Sequence, residues 1–228
     1  MIMIQLKKTL SMILLLLLAI SAYAQSDITK FLGIPVDGTK SEIMEKLKSK
    51  GFKYDRDLDC LMGDFNGNEV SILIGTYKDK VWRILLADVK TSNEAEIKNR
   101  FNRLCKQFLD NKNYMPPLSN YIIPQDEDIS YEMNVNKKRY DAYYFQVPAD
   151  NDKFLNDLNK RLFQSFTEEQ INNPTDEDRK KIEQVGADNM IEMLSKKQVW
   201  FTIYEQYGEY RIAMYYENGY NSPNGEDL

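Results

Sequence analysis

Val199-Trp200-Phe201-Thr202-Ile203-Tyr204, returning past Gly208 as Tyr210-Arg211-Ile212-Ala213-Met214-Tyr215-Tyr216, is the stretch whose reading decides the fold. Successive side chains of a strand point to opposite faces, so Val199, Phe201 and Ile203 share one face and Trp200, Thr202 and Tyr204 the other. On the return, Ile212 and Met214 suit a core, while Arg211, Ala213 and Tyr215 face away. Strands joined by so short a turn pair antiparallel. By the same alternation Tyr77 and Arg83 join the outer face. An outward set of Trp200, Tyr204, Arg211 and Tyr215 has the composition of interface hot spots, since these side chains combine large area with hydrogen-bonding tips. A rival reading is structural: cross-strand aromatic pairs stabilise sheets, and a second helical layer would bury the rings.

Working outward, the first half repeats the pattern. Leu58, Cys60 and Met62 alternate with polar neighbours up to Asn66-Gly67, a strong hairpin signal. Val70, Ile72 and Ile74 follow, then a turn at Lys78-Asp79-Lys80 and a third strand over 81–89. A helix precedes these strands: Thr39-Lys40-Ser41-Glu42 is a capping box, Ile43, Met44 and Leu47 form a buried stripe, and Gly51 is the stop, after which Phe52 packs back on Leu47. A second helix runs over 93–111 with Ile97, Phe101, Leu104, Cys105 and Phe108 on one side. Met115-Pro116-Pro117 marks a boundary between halves at 25–115 and 116–228.

In the second half, 129–135 and 140–147 read as a hairpin closed by Asn136-Lys137-Lys138. The stretch 150–166 is an amphipathic helix carrying Phe154, Leu155, Leu158, Leu162 and Phe166. Asn173-Pro174-Thr175 introduces another helix with Ile182, Val185, Met190, Met193 and Leu194, and the tail after Asn218 reads as surface loop. Val70 to Ile74 with Arg83-Ile84 echo Val199 to Ile203 with Arg211-Ile212, which suggests two related halves. Helices standing outside runs of hairpin-linked strands define an α+β class: an antiparallel sheet of hairpins and meanders with helices on one face.

The first 24 residues carry an export signal pattern. Lys7 and Lys8 precede an apolar run from Leu10 to Ile20, and Ala22-Tyr23-Ala24 fits a cleavage site, leaving Gln25 as the mature N-terminus. That run falls short of the roughly 20 residues a membrane crossing needs, so stable insertion after cleavage is not expected and the location is periplasmic or secreted. Removing the segment takes Lys+Arg from 30 to 28 against 35 Asp+Glu, a net charge of −7. Such an acidic chain with no basic cluster is a poor partner for nucleic acid. There is no histidine, which excludes a Ser-His-Asp triad, a Cys-His dyad and a His-ligated metal. Cys60 and Cys105 are the only cysteines; an oxidising compartment permits a disulfide between them, while Cys105 on its apolar stripe equally suits a buried thiol.

The run from Phe31-Leu32-Gly33-Ile34-Pro35-Val36-Asp37-Gly38 through Thr39-Lys40-Ser41-Glu42 to Lys50-Gly51-Phe52 resembles the opening of an uncharacterised family of exported Gram-negative proteins. Tyr216-Glu217-Asn218 and Asn224-Gly225-Glu226-Asp227-Leu228 are similar to that family's ends. The resemblance brings no known activity. A helix led by Gly-Thr-x-x-Glu before a meander also resembles the β-lactamase-inhibitor-protein and SmpA/OmlA-type architecture, which implies helices on one face of an antiparallel sheet and other surfaces used for protein partners.

Sites of other kinds are weakly marked. Asp55, Asp57 and Asp59 form D-x-D-x-D, but Cys60 stands where a calcium loop requires glycine, and Asp64-Phe65-Asn66-Gly67 fails because Met62 holds the first-ligand position. Gly63-x-x-x-Gly67 lacks the Lys-Ser/Thr of a phosphate loop. No catalytic residue, metal or cofactor is therefore expected. The leading expectation is an exported soluble binding protein that meets a protein or glycan, in the cell envelope or outside the cell, through its aromatic sheet face. The alternative is a carboxylate-dependent hydrolase of glycans or cell-wall material, which needs only two acids across a cleft.

Overall fold

Reciprocal bonds between the Thr39 side chain and the Glu42 amide, and between the Glu42 carboxylate and the Thr39 amide, start the helix α1, Lys40–Ser49. Gly51 ends it at φ 101°, with the Gly51 and Phe52 amides donating to the Lys48 and Leu47 carbonyls. That closure carries the chain past the helix end and buries Phe52 with Leu47, as the spacing predicts. The computed structural model describes residues 27–118, 120–148, 151–223 and 225, without the side chains of 151–154. The expected export signal, the Phe154 side chain, Asn224 and residues 226–228 lie outside that description.

The architecture is α+β. A small hairpin, β1 (Lys30–Phe31) and β2 (Ile34–Pro35), precedes α1. Then β3 (Lys53–Asp55), β4 (Cys60–Phe65), β5 (Asn68–Tyr77) and β6 (Lys80–Asp88) form an antiparallel meander, followed by α2 (Glu94–Asp110). The second meander is β7 (Tyr114–Met115), β8 (Asp141–Gln146), β9 (Gln198–Gln206) and β10 (Glu209–Glu217). It is interrupted by α3 (Ile129–Asn134) and by α4 (Asn151–Ser165), α5 (Glu168–Asn172) and α6 (Asp176–Ser195). The last strands of the two meanders pair, giving one eight-stranded sheet in the order β3-β4-β5-β6-β10-β9-β8-β7. The two echoing segments of sequence fall on β5–β6 and β9–β10, the corresponding strands of each meander.

One core lies beneath one face of this sheet. Ile43 and Leu47 of α1, Phe101, Leu104, Cys105 and Phe108 of α2, and Ile129 of α3 pack with Val70, Ile72, Ile84, Leu86, Val199, Phe201, Ile203, Ile212 and Met214. At the seam, Arg100 of α2 donates twice to the Asp88 carboxylate, at 2.7 and 2.6 Å, and the same carboxylate accepts the Ile212 amide. These bonds tie helix, β6 and β10 together, with Arg100 Nη1 left buried and without a hydrogen-bond partner among the described residues. Lys197 and Asp27 make a second buried pair at 2.5 Å. The helices α4–α6 pack largely on one another: among their described side chains only Leu162, Asn189 and Leu194 are buried, and none joins the main core. Among the described residues no helix is long and apolar enough to cross a membrane.

Two local expectations need correction. Residues 129–134 are helix, not the first strand of a hairpin: the Asp128 carboxylate accepts the Tyr131 amide as an N-cap, and β8 takes β9 as partner instead. In β4 it is Leu61 and Phe65 that turn toward the core, while Leu58 lies outside the strand and exposed. Gly63 sets this face, because a Cβ there would stand 2.5 Å from the Phe52 ring. The described residues after Asn218 form surface loop, as expected, and this loop is held to the body: Asn218 Nδ2 donates to the Val36 carbonyl, and Asn221 Nδ2 to Asp37 and the Val81 carbonyl.

Candidate functional site

The sheet face turned away from α1 and α2 carries the outward side chains of every strand. Tyr215 opposes Leu85 of β6 on one side and Trp200 of β9 on the other, and Trp200 in turn opposes Tyr143 of β8. Neighbouring strands are about 4.8 Å apart, close to the thickness of stacked rings, so aromatic residues in one row stand upright against each other. Trp200 and Tyr215 stack at 4.0 Å between centroids and 8° between planes; Tyr143 and Trp200 stack at 5.6 Å and 19°.

A β-bulge extends this row. Gly75 pairs with Arg83 and Thr76 with Val81, leaving Trp82 as the extra residue. Val81 and Ile84 are both fully buried although three positions apart, so Trp82 and Arg83 are both displaced to the open side. The Arg83 guanidinium then lies 4.1 Å from the Trp82 ring centroid and 5.1 Å from that of Tyr215. The result is a ladder of five side chains across four strands: Trp82, Arg83, Tyr215, Trp200 and Tyr143. Glu217 anchors it, accepting from Arg83 Nη2 at 2.5 Å and from Trp200 Nε1 at 3.0 Å with the same oxygen. Each cation–π contact contributes about 0.5–1 kcal/mol at a partly exposed site. Burial also raises the Tyr143 phenol above its ordinary value, with the nearby Asp141 carboxylate adding to the shift.

Of the residues singled out from sequence, Trp200, Tyr215 and Arg83 meet in this ladder. Tyr204 and Arg211 are register partners on the same face, but four residues further along their strands, about 13 Å away. Both are exposed, Tyr204 at 57%, and small side chains (Ser71, Ala87, Ala213, Thr202) separate them from the ladder. Tyr77 stands apart at the end of β5 with Lys78 Nζ 4.9 Å over its ring. Sequence reading missed Tyr143, Trp82, Glu217 and the exposed Leu73. Tyr143 was available from alternation with buried Ala142 and Tyr144; Trp82 was not, because a bulge breaks the period.

Cys60 and Cys105 are free thiols on opposite sides of the sheet. Cys105 sits in the core on α2, its thiol pushed up to about 11 by burial, whereas Cys60 contacts Met62 Sδ at 3.6 Å on the other face and lies outside the main core. Bridging them would require passing through the sheet, so the disulfide is excluded. The acidic run at 55–59 is structural: Asp55 accepts the Asp57 and Leu58 amides, and Asp59 binds Tyr54 and Lys40, which hold its carboxyl below the usual range. Among the described residues no group of three or more Cys, Asp or Glu side chains is placed to hold a metal ion. Compared with family models, curated proteins and solved structures, the chain matches none.

Proposed function

We propose that this is an exported, non-catalytic interaction protein that binds a protein partner through the open aromatic face of its sheet. The observation carrying the reading is the ladder itself: large rings, partly exposed and already locked by one another. Rigid aromatic anchors lose little side-chain freedom on binding, which is where most interface area loses its value. The same geometry favours a protein over a glycan. Sugar rings stack on aromatic faces, and both faces of Trp200 and of Tyr215 are already covered by ladder neighbours. What the face offers instead is ring edges, the exposed Leu73 and the exposed Tyr204–Arg211 pair.

The test uses the chain from Gln25 immobilised against envelope and medium fractions. Leu73→Lys with Tyr204→Ala changes only exposed side chains, so the unfolding midpoint is expected to stay within a few degrees while capture of the partner is lost. Undiminished capture by the double variant, or recovery of a glycan whose binding the double variant abolishes, overturns the reading.

A further inference from the structure

An eight-stranded sheet is about 35 Å wide, and an α-helix covers about 10 Å of it. The helices α1 and α2 therefore cannot roof the inner face, and between α2 and the small hairpin of β1 and β2 lies a cleft of about 590 Å³. Its floor is Met214 and Tyr216 of β10; Leu104 and Phe108 of α2 form one wall, and Phe31 of the small hairpin the other. This volume falls within the roughly 300–1,000 Å³ of small-molecule sites, and the lining joins an apolar floor and walls to lysine, asparagine and glutamine side chains around them.

The inner end is held open by a polar tie. Gln146 accepts from the Lys30 amide at 2.8 Å and donates to the Lys30 carbonyl at 2.6 Å, as a neighbouring strand would, and it also donates to the Tyr114 hydroxyl at 3.1 Å. The hairpin carrying Phe31 is thus clamped to β8 instead of collapsing onto α2. Tyr114 and Tyr216 share a hydrogen bond at this end, and burial raises both phenols, so they remain neutral donors.

The charge around the cleft runs against that of the chain. Acids outnumber bases in the whole protein, yet the described lining contains no carboxylate and three lysines, Lys30, Lys112 and Lys197. Lys197 is neutralised by Asp27, while Lys30 and Lys112, both exposed, are in none of the ion pairs among the described residues. A ligand seated on this floor meets positive charge at the rim and no carboxylate among the described lining residues. We propose that this cleft is a second binding site, independent of the ladder, for a small amphipathic anion: an aromatic or short acyl body bearing a carboxylate or sulfonate.

Two dyes of similar body test it, the anionic 8-anilinonaphthalene-1-sulfonate and the neutral N-phenyl-1-naphthylamine, titrated into the folded chain from Gln25. The anionic dye is expected to bind saturably at one site. Lys30→Glu with Lys112→Glu should weaken it about fivefold and leave the neutral dye unchanged. Gln107→Trp, which fills the mouth from the exposed side of α2, should weaken both dyes about tenfold or more, and Asn111→Trp repeats the block one turn on. Tyr204→Ala, on the other face, should alter neither. Failure to saturate, indifference to both blocking variants, or equal response of the two dyes to charge reversal overturns the proposal. None of these results bears on partner capture by the ladder.

Discussion

Trp200 and Phe201 are adjacent in sequence and similar in size, and the sheet sends them to different surroundings. Phe201 is fully buried, with the Phe101 ring edge-on at 5.1 Å, Phe108 at 5.7 Å and Tyr144 stacked at 6.0 Å. Its contacts come from a helix above and a strand beside it. Trp200 has as close a stacking partner but only within the plane of the sheet, with nothing from α1–α3 above it. Ring contact and burial are separate quantities, then, and burial is the larger of the two when a side chain is removed. The core side of β9 holds the molecule together, while the other side holds a surface in shape.

The sharpest way to break this contrast is truncation. Phe201→Ala should cost about 3–5 kcal/mol in chemical denaturation, a cavity beneath the helix layer, whereas Trp200→Ala should cost about 1–2 kcal/mol, the value of partial burial and its stacking. Equal losses would mean that the ladder is core. Alkaline pH probes the same difference by charge. Burial pushes the Cys105 thiol to about 11 and the inner-face phenols of Tyr144 and Tyr216 further still. A folded-state pKa above the unfolded one gives stability that is whole below about pH 9 and lost as pH rises through the folded values. The denaturation midpoint should therefore fall steadily above about pH 9, less so in Tyr144→Phe; a flat profile would contradict the buried placement of these groups. The smallest effect expected is none at all. Oxidant should leave the midpoint unchanged and two thiols countable by alkylation after unfolding, because the sheet stands between Cys60 and Cys105.

How much of this was legible in the sequence depended on distance along the chain. Thr39 with Glu42, and Gly51 before Phe52, announced α1 because each cap bond spans only a few residues. β9 and β10 were readable to the face, since Trp200, Thr202 and Tyr204 alternate with uniformly apolar partners. In β4 both alternating sets contain apolar residues, and Cys60 and Met62 looked as good a core as Leu61 and Phe65; the deciding contact, Phe52 against Gly63, comes from the turn that closes α1. Ile129 to Asn134 carry strand-like residues, but Asp128 caps them as a helix and the intended hairpin partner goes to β9. The ladder was half visible. Trp200, Tyr215 and Arg83 followed from alternation, while Trp82 needed a bulge and the order β6-β10 needed pairing between residues more than a hundred positions apart. The cleft left no local signal, because it arises from too few helices for the width of the sheet.

The strand made last, β10, sits fifth in the sheet, between β6 and β9. A chain delivered from its N-terminus thus carries two unfinished borders until residue 217 is free, each a row of unpaired amides and carbonyls ready to capture another molecule. Any product ending before β10 is a pair of sticky fragments rather than a shorter version of the protein, so the final stretch of synthesis separates a usable molecule from a hazard to its neighbours.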